Sequence, residues 1–379
     1  MKIGFASRYD PTDKKTWSGT SYYTLQQLKR FGEVELFQYP LPKLLQEWLT
    51  TQKSINKRIF KKQTSVEFLH SYAKHFSRKL SADLRKRPVD ILFVSASSQL
   101  IAFADTTIPI IYMTDATFQQ LQGYYPTFSN LAGYNIRQGT GLDKKAFQKA
   151  AHCMLASDWC KASAINDYAI RPEKISVVPC GANLDMVPSA NQLDLQVADR
   201  CNILFIGVEW ERKGGDIALG TYRKIRETTP NATLHIIGCV PPADLSAEKD
   251  ITVIPFLDKN KKDEFGRLHH IYLQSDFLLL PTRAECAGIV FSEASAYGIP
   301  SITTDTGGVC TYVRNGVNGF ALPPDAGADT YAAVIKNILQ HPGQLQALRK
   351  SSRRLYEEEL NWTRWGNTFA KITEGLPHR

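Results

Sequence analysis

The chain has 379 residues, more than one ordinary hydrophobic core holds, so two domains are expected. Hydrophobic residues make up 43% and charged residues 22% of the sequence, which excludes a disordered, collagen-like or coiled-coil chain. No apolar stretch approaches the roughly 20 residues that cross a bilayer, and the start turns polar at Arg8 without a signal-peptide core. Seven scattered cysteines without a C-x-x-C pair favour a reducing cytoplasm over a disulfide framework or zinc site. A cytoplasmic location is therefore expected.

The net charge of +9 is concentrated in one segment, Lys43–Arg87. Twelve basic and three acidic residues lie in it, so it carries the whole imbalance, and the rest of the chain is balanced. Apolar residues interleave with the bases at roughly helical spacing. Such a segment suits either a solvated helical face with a packed underside or peripheral contact with an anionic membrane. No nucleic-acid motif accompanies the charge, and no nucleic-acid partner is expected.

Short β-rich runs alternate with longer helical stretches along the whole chain. Continuous apolar runs such as Ile91–Val94 and Phe277–Leu280 suit strands that are covered on both faces, as in parallel sheets between helices. The predicted strands are Lys2–Ala6, Val34–Tyr39, Asp90–Ser95, Ile108–Met113, Cys153–Ala156, Ile175–Pro179, Asn202–Ile206, Thr233–Ile237, Thr252–Phe256, Phe277–Leu280 and Ser301–Thr304.

Two such sheets in sequence predict an α/β protein with two Rossmann-like lobes. The polar, turn-rich stretch Met186–Arg200 is the expected linker. The last predicted helix carries Trp362, Trp365, Phe369 and Ile372 on one stripe, and so apolar a helix must dock on a domain. Crossing back onto the first lobe is one solution. The predicted domains are 1–187 with 361–379, and 200–360.

Two cations follow the first strand of the second lobe. Arg212 and Lys213 precede Gly214-Gly215, and glycine permits close backbone approach. Arginine grips a pyrophosphate bidentately, and lysine adds a mobile point charge. Alone, the dipeptide is equally consistent with a surface turn.

Two carboxylates surround a predicted helix start after Phe277–Leu280. Glu285 falls in the loop, Gly288 marks the turn into a helix, and Glu293 lies about a turn and a half further on. Side chains on a helix lean toward its N-terminus, so the Glu293 carboxylate is expected to reach the same end of the helix as Glu285. Free amides near Ala287–Val290 offer an anion site that the helix dipole reinforces. Carboxylates beside an anion site favour a ligand with both hydroxyls and phosphate, such as a nucleotide sugar.

With these residues the sequence resembles the retaining glycosyltransferases of family 4, whose two lobes face a cleft in the GT-B fold. The resemblance centres on the E-x7-E spacing of Glu285 and Glu293, and it is most specific from about residue 175 to 325. Further matching segments are Pro179-Cys-Gly181-Ala-Asn183, Gly207 with Arg212-Lys213-Gly214, Pro255-Phe256-Leu257, Tyr272 with Ser275-Asp276, Gly298-Ile-Pro300, Asp305-Thr-Gly307-Gly308 and Asn315-Gly316.

The resemblance implies a role for each of these residues. Glu293 accepts the vicinal hydroxyls of the nucleotide ribose, and Glu285 bonds hydroxyls of the donor sugar. Arg212 and Lys213 stabilise the diphosphate as negative charge develops on it. The remaining donor contacts come from the backbone of Ala287, Gly288, Ile289, Phe256 and Leu257.

The first lobe departs from the family pattern at two places. Many members have a histidine after the fourth strand, where this chain reads Tyr112-Met-Thr-Asp115-Ala-Thr117. Asp115 takes that place as a sugar-hydroxyl acceptor or caps a helix, and the sequence leaves both open. The acceptor-side loop reads Ser18-Gly19-Thr20 where a glycine pair is common, and Gly19 would approach the phosphates.

The leading hypothesis is a nucleotide-sugar glycosyltransferase that needs no cofactor and no metal, because the D-x-D sequence of metal-dependent transferases does not occur. Its acceptor would be a glycan, a lipid-linked glycan or a small molecule. A sugar-nucleotide epimerase and a non-catalytic sugar-nucleotide or glycan-binding partner remain alternatives. A dehydrogenase and a P-loop kinase are disfavoured, since neither glycine-rich fingerprint occurs.

Overall fold

A computed structural model describes residues 1–8, 10–39, 46–47, 50–51, 54, 61–193 and 201–376. The chain divides into two compact units, Met1–Val178 with Gly366–Arg379, and Pro179–Trp365. The first predicted domain ends at 187, nine residues after Val178, and the second begins at 200, 21 residues after Pro179. The predicted return to the first domain at 361 precedes Gly366 by five residues. Part of the predicted linker, 194–200, lies outside the described residues, as does part of the basic segment.

The first unit is built on a parallel sheet. Among the described residues this sheet has six strands, in the order β2-β1-β3-β4-β5-β6. Its strands are β1 Lys2–Ser7, β2 Glu33–Gln38, β3 Ile91–Ser95, β4 Ile110–Thr114, β5 His152–Leu155 and β6 Ile175–Val177. Its helices are α1 Thr20–Leu28, α2 His70–Lys86, α3 Ser98–Ile101, α4 Phe118–Leu121, α5 Gly133–Lys149 and α6 Asp158–Asn166. Short 3₁₀ turns occur at Thr16–Gly19, Val66–Phe68, Pro126–Phe128 and Pro172–Lys174.

The second unit repeats this plan with six described parallel strands in the order β12-β11-β10-β7-β8-β9. Its strands are β7 Asn202–Ile206, β8 Thr233–Ile237, β9 Ile251–Ile254, β10 Phe277–Leu280, β11 Ser301–Thr304 and β12 Gly319–Leu322. Its helices are α7 Gly215–Arg226, α8 Lys262–Gln274, α9 Ile289–Ala296, α10 Val309–Tyr312, α11 Ala328–Leu339 and α12 Pro342–Glu358, and a 3₁₀ turn spans Ala190–Gln192.

The predicted α/β class with two Rossmann-like lobes is confirmed. The runs in β3 and β10 are buried at every residue, as expected for strands covered on both faces. Four of the five strands predicted for the second half have the observed bounds, and the bounds of β9 are one or two residues earlier than predicted. The sequence analysis missed β12, whose four residues begin at Gly319 within a turn-rich stretch.

The last helix, α13 Trp362–Glu374, starts in the second unit and ends in the first. Phe369 is fully buried and lies against Phe31 and Phe93 of the first unit, with ring centroids 6.0 and 5.8 Å away. Gly366 also approaches Phe31, since a Cβ there would lie 3.0 Å from its ring. The aromatic stripe therefore docks its C-terminal half on the first lobe, as expected. No helix among the described residues is both long and apolar enough to cross a bilayer.

A buried carboxyl joins two helices of the first unit. Asp143 of α5 is 3% exposed, and its Oδ2 accepts a hydrogen bond of 2.6 Å from the backbone N–H of Phe118, the first residue of α4. Burial raises the pKa of Asp143 to about 6, although its hydrogen bonds to Ser98 and Phe118 act in the opposite direction. The folded state therefore holds a proton that the unfolded chain releases near pH 4.

The contribution of Asp143 to the stability of the first unit should fall as pH rises from about 4 to 7. Between the unfolded pKa of 3.8 and the folded value of about 6, the native state binds more protons at Asp143, so deprotonation costs up to about 3 kcal/mol. Asp143→Asn keeps an acceptor for Phe118 without a charge and should flatten this dependence in urea midpoints measured at stepped pH. Asp325→Asn makes the same change at an exposed position and serves as the control. Parallel curves for wild type and Asp143→Asn would contradict the assignment.

Candidate functional site

The second sheet reverses its winding direction between β7 and β10. β7 pairs with β8 on one side and with β10 on the other. In wound α/β sheets this reversal opens a crevice outside the carboxyl ends of the strands, where ligands bind. The loop after β7 carries Arg212 and Lys213, and the loop after β10 carries Glu285. Both loops therefore lie beside the crevice.

Glycine lets these two loops approach each other. Gly214 has a φ of +73°, and a Cβ on it would lie 1.9 Å from the carbonyl oxygen of Pro281, directly after β10. The backbone N–H of Arg283 donates to the carbonyl oxygen of Arg212 at 2.7 Å. Gly207 leaves room for the stem of Lys213, whose Cγ would be 2.6 Å from an added Cβ. These glycine contacts therefore fix the backbone position of Lys213 and leave room for its side chain.

Lys213 and Glu285 form a direct ion pair across the crevice, from Nζ to Oε2. Their side chains are only 12% and 11% exposed. The carbonyl oxygen of Glu285 accepts from the N–H of Gly308 at 3.1 Å, which ties this loop to the loop after β11. A pair this buried gives up much of its hydration, so its value for stability alone is small. Its position at the switch point is better explained by a ligand.

The Arg212 guanidinium joins the same two loops. Its Nη1 donates to the carbonyl oxygen of Ala284 at 2.9 Å, and its Nη2 donates to Oε1 of Glu209 at 3.0 Å. Arg212 thus lies in the predicted place, beside Lys213 and the Glu285 loop. Its hydrogen bond to Ala284 orders the loop after β10. This structural role of Arg212 was not predicted from the sequence.

Helix α9 begins beside the crevice, and its N-cap residue is a glycine in the left-handed backbone conformation. Gly288 has a φ of +89° and is the N-cap of α9. A Cβ on it would lie 2.5 Å from the ring of Phe291 and 3.3 Å from Cγ of Glu285. Ala287 before it is buried, and Ile289 after it is half-buried. The backbone from Ala287 to Ile289 therefore forms the helix start predicted as an anion site.

Glu293 lies inside α9 and is 4% exposed. Its Oε2 accepts from the Tyr272 hydroxyl of α8 at 2.8 Å, and its Oε1 lies 2.5 Å from Nζ of Lys259. Tyr272 is fully buried and stacks on Tyr297, with ring centroids 4.7 Å apart at 10°. Burial, and next the negative charge of Glu293, raise the pKa of Tyr272 well above its usual value, so it stays a hydrogen-bond donor.

Lys259 is a site residue that the sequence analysis missed. It lies three residues beyond Phe256, in the loop after β9. The expected base-binding residues lie in the same loop, with Phe256 51% exposed and Leu257 half-buried. Ligands of wound α/β sheets bind at the loops that follow the strands. Applied to β9, this rule would have made Lys259 a candidate. Tyr272 was noted only as a family match, and nothing in the sequence indicates its contact with Glu293.

The two first-unit candidates also follow strands of their own sheet. Gly19 is the N-cap of α1 with a φ of +86°, and Trp17 and Ser18 before it also have positive φ, of 46° and 56°. Asp115 is half-buried and directly follows β4. The cap of α4 is Thr117, which forms a capping box with Gln120, so the cap reading of Asp115 is wrong. Its role toward a sugar stays a prediction.

In the described part of the chain, no group of three or more His, Cys, Asp or Glu side chains is arranged to hold a metal ion. The charged groups at the crevice are instead the pairs Lys213–Glu285 and Lys259–Glu293, with Arg212 beside the first pair. The arrangement supplies cations for phosphate and carboxylates for hydroxyls within one unit.

Residues 196–355 match the family model described as glycosyl transferases group 1, and the second sheet and both ion pairs lie within this matched segment. A curated relative, the D-inositol 3-phosphate glycosyltransferase of Rhodococcus jostii (strain RHA1), is 26% identical over 216 residues. That alignment covers 52% of this chain and 46% of the relative. The chain thus spans about half the length of the curated relatives it matches.

Solved structures match over the whole chain. Sucrose-phosphate synthase from Thermosynechococcus elongatus superposes with a TM-score of 0.70 at 18% identity, covering 99% of this chain and 98% of the other. Anabaena HepE in complex with UDP gives a TM-score of 0.63 at 15% identity, covering 99% and 100%. At these identities the likeness shows the fold, which is that of the GT-B glycosyltransferases.

Replacing Gly288 should damage both stability and ligand binding. Gly288→Ala forces a side chain into a left-handed conformation at a cost of about 1–2 kcal/mol, and its Cβ would press on Phe291 and the stem of Glu285. Gly266→Ala in α8 is the matched control, because nothing lies within 4 Å of an added Cβ there. We expect a lower Tm and weaker nucleotide diphosphate binding for Gly288→Ala alone. Equal behaviour of the two variants would contradict the described geometry.

Proposed function

We propose that the chain is a retaining glycosyltransferase of family 4 that moves a sugar from a nucleotide diphosphate sugar to a hydroxyl acceptor without a metal ion. The acceptor is a glycan, a lipid-linked glycan or a small molecule. The observation that carries the proposal is the buried Lys213–Glu285 pair at the switch point of the second sheet. It sets a cation and a carboxylate side by side where wound sheets bind their ligands.

The diphosphate would bind at the cationic side of the crevice. A lysine ammonium has three N–H groups, so Lys213 keeps Glu285 while it donates to a phosphate oxygen. Arg212 adds guanidinium donors, and the amides around Ala287–Ile289 face the same ligand with the positive end of α9. As the sugar leaves, negative charge grows on the diphosphate. Fixed cations with little water around them stabilise that charge without reorganising.

Hydrogen-bond acceptors of the protein would recognise the sugar and the nucleoside. Glu285 takes hydrogen bonds from donor-sugar hydroxyls, and Glu293 takes them from the ribose, since a carboxylate has about four lone-pair sites. Phe256 and Leu257 border the base, with the exposed face of Phe256 available for contact. From the first unit, Gly19 approaches the phosphates and Asp115 accepts from the sugar. The bound UDP of the structurally similar Anabaena protein supports a nucleotide in such a fold.

Transfer with retention would proceed on one face of the sugar. The bond between the anomeric carbon and the leaving phosphate oxygen breaks, and the acceptor oxygen bonds to the same face. The acceptor proton passes to the leaving phosphate, so the reaction balances without a side-chain base. This differs from the paired carboxylates of glycosidases. Lys213 and Arg212 hold the phosphate oxygen that receives the proton.

A panel of nucleotide diphosphates and nucleotide sugars tests the proposal. We expect one family of nucleotides to raise the Tm, since a ligand that binds only the folded chain stabilises it. Product analysis with the donor alone separates transfer or slow hydrolysis from epimerisation, which is the alternative reaction. The anomeric configuration of the product tests retention, and activity after EDTA treatment tests metal independence. Binding of a nucleotide sugar without turnover with any acceptor would favour the non-catalytic alternative, and binding of no nucleotide in the panel would contradict the proposal.

Neutralising the central pair should lower turnover strongly. Lys213→Met removes the charge that faces the leaving diphosphate, and Glu285→Gln removes an acceptor of sugar hydroxyls, so each should reduce kcat/KM by about 100-fold or more. Lys224→Met is the control, because Lys224 pairs with Asp329 on an exposed surface. Initial rates at saturating acceptor measure the effect. Near-wild-type turnover of Lys213→Met would remove Lys213 from the site.

We further propose that the first unit contacts an anionic membrane through helix α2, which would suit a lipid-linked acceptor. Its exposed face carries five basic residues, Lys74, Arg78, Lys79, Arg85 and Lys86. The acid within α2, Asp83, lies off this face and bonds Tyr39 and Arg87. The opposite face, with Phe76 and Leu80, is buried in the unit. Of the seven other bases of the segment, Lys43, Lys53, Lys57 and Arg58 lie outside the described residues.

Reversing charge on α2 should abolish binding to anionic vesicles. The variant Arg78→Glu/Lys79→Glu/Lys86→Glu changes the charge by six units on one exposed helix face. The matched control makes the same change at Lys249, Lys262 and Lys350, which are exposed on the second unit. Co-sedimentation with phosphatidylserine vesicles at low and high salt should show salt-sensitive binding for wild type and control only. Equal binding of both variants, or none by wild type, would refute the contact.

A further inference from the structure

The Glu293 carboxylate is held by two donors from two separate elements. Tyr272 of α8 donates to Oε2, and Lys259 of the loop after β9 donates to Oε1. Each oxygen therefore has a fixed protein partner before any ligand arrives. The carboxylate plane is set by these two bonds, and its remaining lone pairs have set directions.

The loop that carries Lys259 is itself ordered by local hydrogen bonds. The N–H of Asp258 donates to Oε2 of Glu264 at 2.6 Å, and Oδ1 of Asp258 accepts from the N–H of Asn260 at 3.0 Å. The N–H of Lys261 donates to the carbonyl oxygen of Asp258 at 2.9 Å. This closed turn presents Lys259 from a defined backbone position. The lysine stem then spans the short gap to α9.

A second contact fixes the ammonium group on its other side. Nζ of Lys259 donates to the carbonyl oxygen of Asn183 at 3.2 Å. Asn183 is fully buried, and its Oδ1 accepts from Nε1 of Trp362 at 3.0 Å. Gly181 allows this approach, because a Cβ there would lie 2.3 Å from the backbone nitrogen of Trp362. Three chain segments of the second unit thus converge on one ammonium.

The ammonium is the more accessible member of the ion pair. The Lys259 side chain is 20% exposed, and that of Glu293 is 5% exposed. Within the described residues Nζ has two acceptors, so a third N–H remains for an incoming oxygen. If the pair served stability alone, apolar residues of similar volume would do as well or better. A cation beside the carboxylate instead supplies a donor where Glu293 supplies acceptors.

We propose that Lys259 reads the nucleotide ribose together with Glu293. One ribose hydroxyl would donate its proton to the carboxylate and accept a hydrogen bond from the ammonium. Only a hydroxyl meets both requirements, so the pair favours ribonucleotides over deoxyribonucleotides more strongly than Glu293 alone. This inference rests on the proposed nucleotide-sugar function. Lys259 would bind the ribose and position Glu293, away from the reacting carbon.

The test compares Lys259→Met, Lys259→Arg and the control Lys224→Met. Lys224 makes an ion pair with Asp329 on the surface of the same unit, so its replacement repeats the chemical change outside the site. UDP, ADP and GDP and their 2′-deoxy and 3′-deoxy analogues are the probes. Titration gives the ratio of ribose to deoxyribose affinity for each protein. Loss of one charge-assisted hydrogen bond corresponds to about a tenfold loss of affinity or more.

We expect Lys259→Met to bind the ribonucleotide about tenfold more weakly and to lose most of its discrimination against one deoxy analogue. Lys259→Arg should restore much of both, and Lys224→Met should match wild type. In turnover, Lys259→Met should raise the donor KM and leave kcat nearly unchanged, because ribose contacts are equal in ground and transition states. A merely structural lysine would weaken ribose and deoxyribose binding alike.

The outcomes separate this inference from the proposed function. A wild-type chain that binds none of the three diphosphates and none of the other nucleotides of the panel refutes the function and the ribose reading together. A wild-type chain that binds and discriminates, with an unchanged ratio in Lys259→Met, refutes the ribose reading alone. The Tm of each variant is measured in parallel. If Lys259→Met does not fold, Lys259→Arg with altered discrimination and a wild-type Tm supports the reading, and an unaltered ratio refutes it.

Discussion

The close approach of the loops after β7 and β10 is the constraint on which the site depends. Gly214 permits it, since any Cβ would collide with the carbonyl oxygen of Pro281. The approach brings Lys213 onto Glu285 and Arg212 onto Ala284. Two opposite charges are then held with little exposure at the point where the sheet reverses its winding. The chemistry proposed for the chain follows from that placement, because a diphosphate and a hydroxylated sugar need both charges within one ligand length.

Much of the fold could be predicted because its signals are local. The buried runs of β3 and β10 and the aromatic stripe of α13 each contain their own evidence in sequence. β12 was missed because four residues beginning at Gly319 show no periodicity of their own. Its place is set by pairing with β11, from Ser301 against Gly319 onward, and such a partner is invisible in the strand itself.

The site was predictable only as far as strand ends could be found. Glu285, Arg212 and Lys213 follow strands with clear apolar signals, so their shared edge could be inferred from the order of the residues alone. That Lys213 would bond Glu285 directly could not, because it depends on the glycine contacts between two loops some seventy residues apart. Strand β9 and two residues of the loop after it, Phe256 and Leu257, were predicted. Lys259 was missed because its contact with Glu293 joins this loop to a helix 34 residues away, and such a contact leaves no local signal in the sequence.

The two ion pairs of the crevice take different parts in the proposed recognition of the ligand. Lys213 and Glu285 come from loops that glycines bring together, and in the proposed complex they face the diphosphate and the sugar, where charge changes in the reaction. Lys259 and Glu293 are held by Asn183 and Tyr272, and in the proposed complex they face the ribose, whose charge does not change. In that complex, binding energy from the ribose contacts would hold the diphosphate against Lys213 and Arg212. A ribose held in this way would place the sugar–phosphate bond beside the Lys213–Glu285 pair, where negative charge develops as the bond breaks.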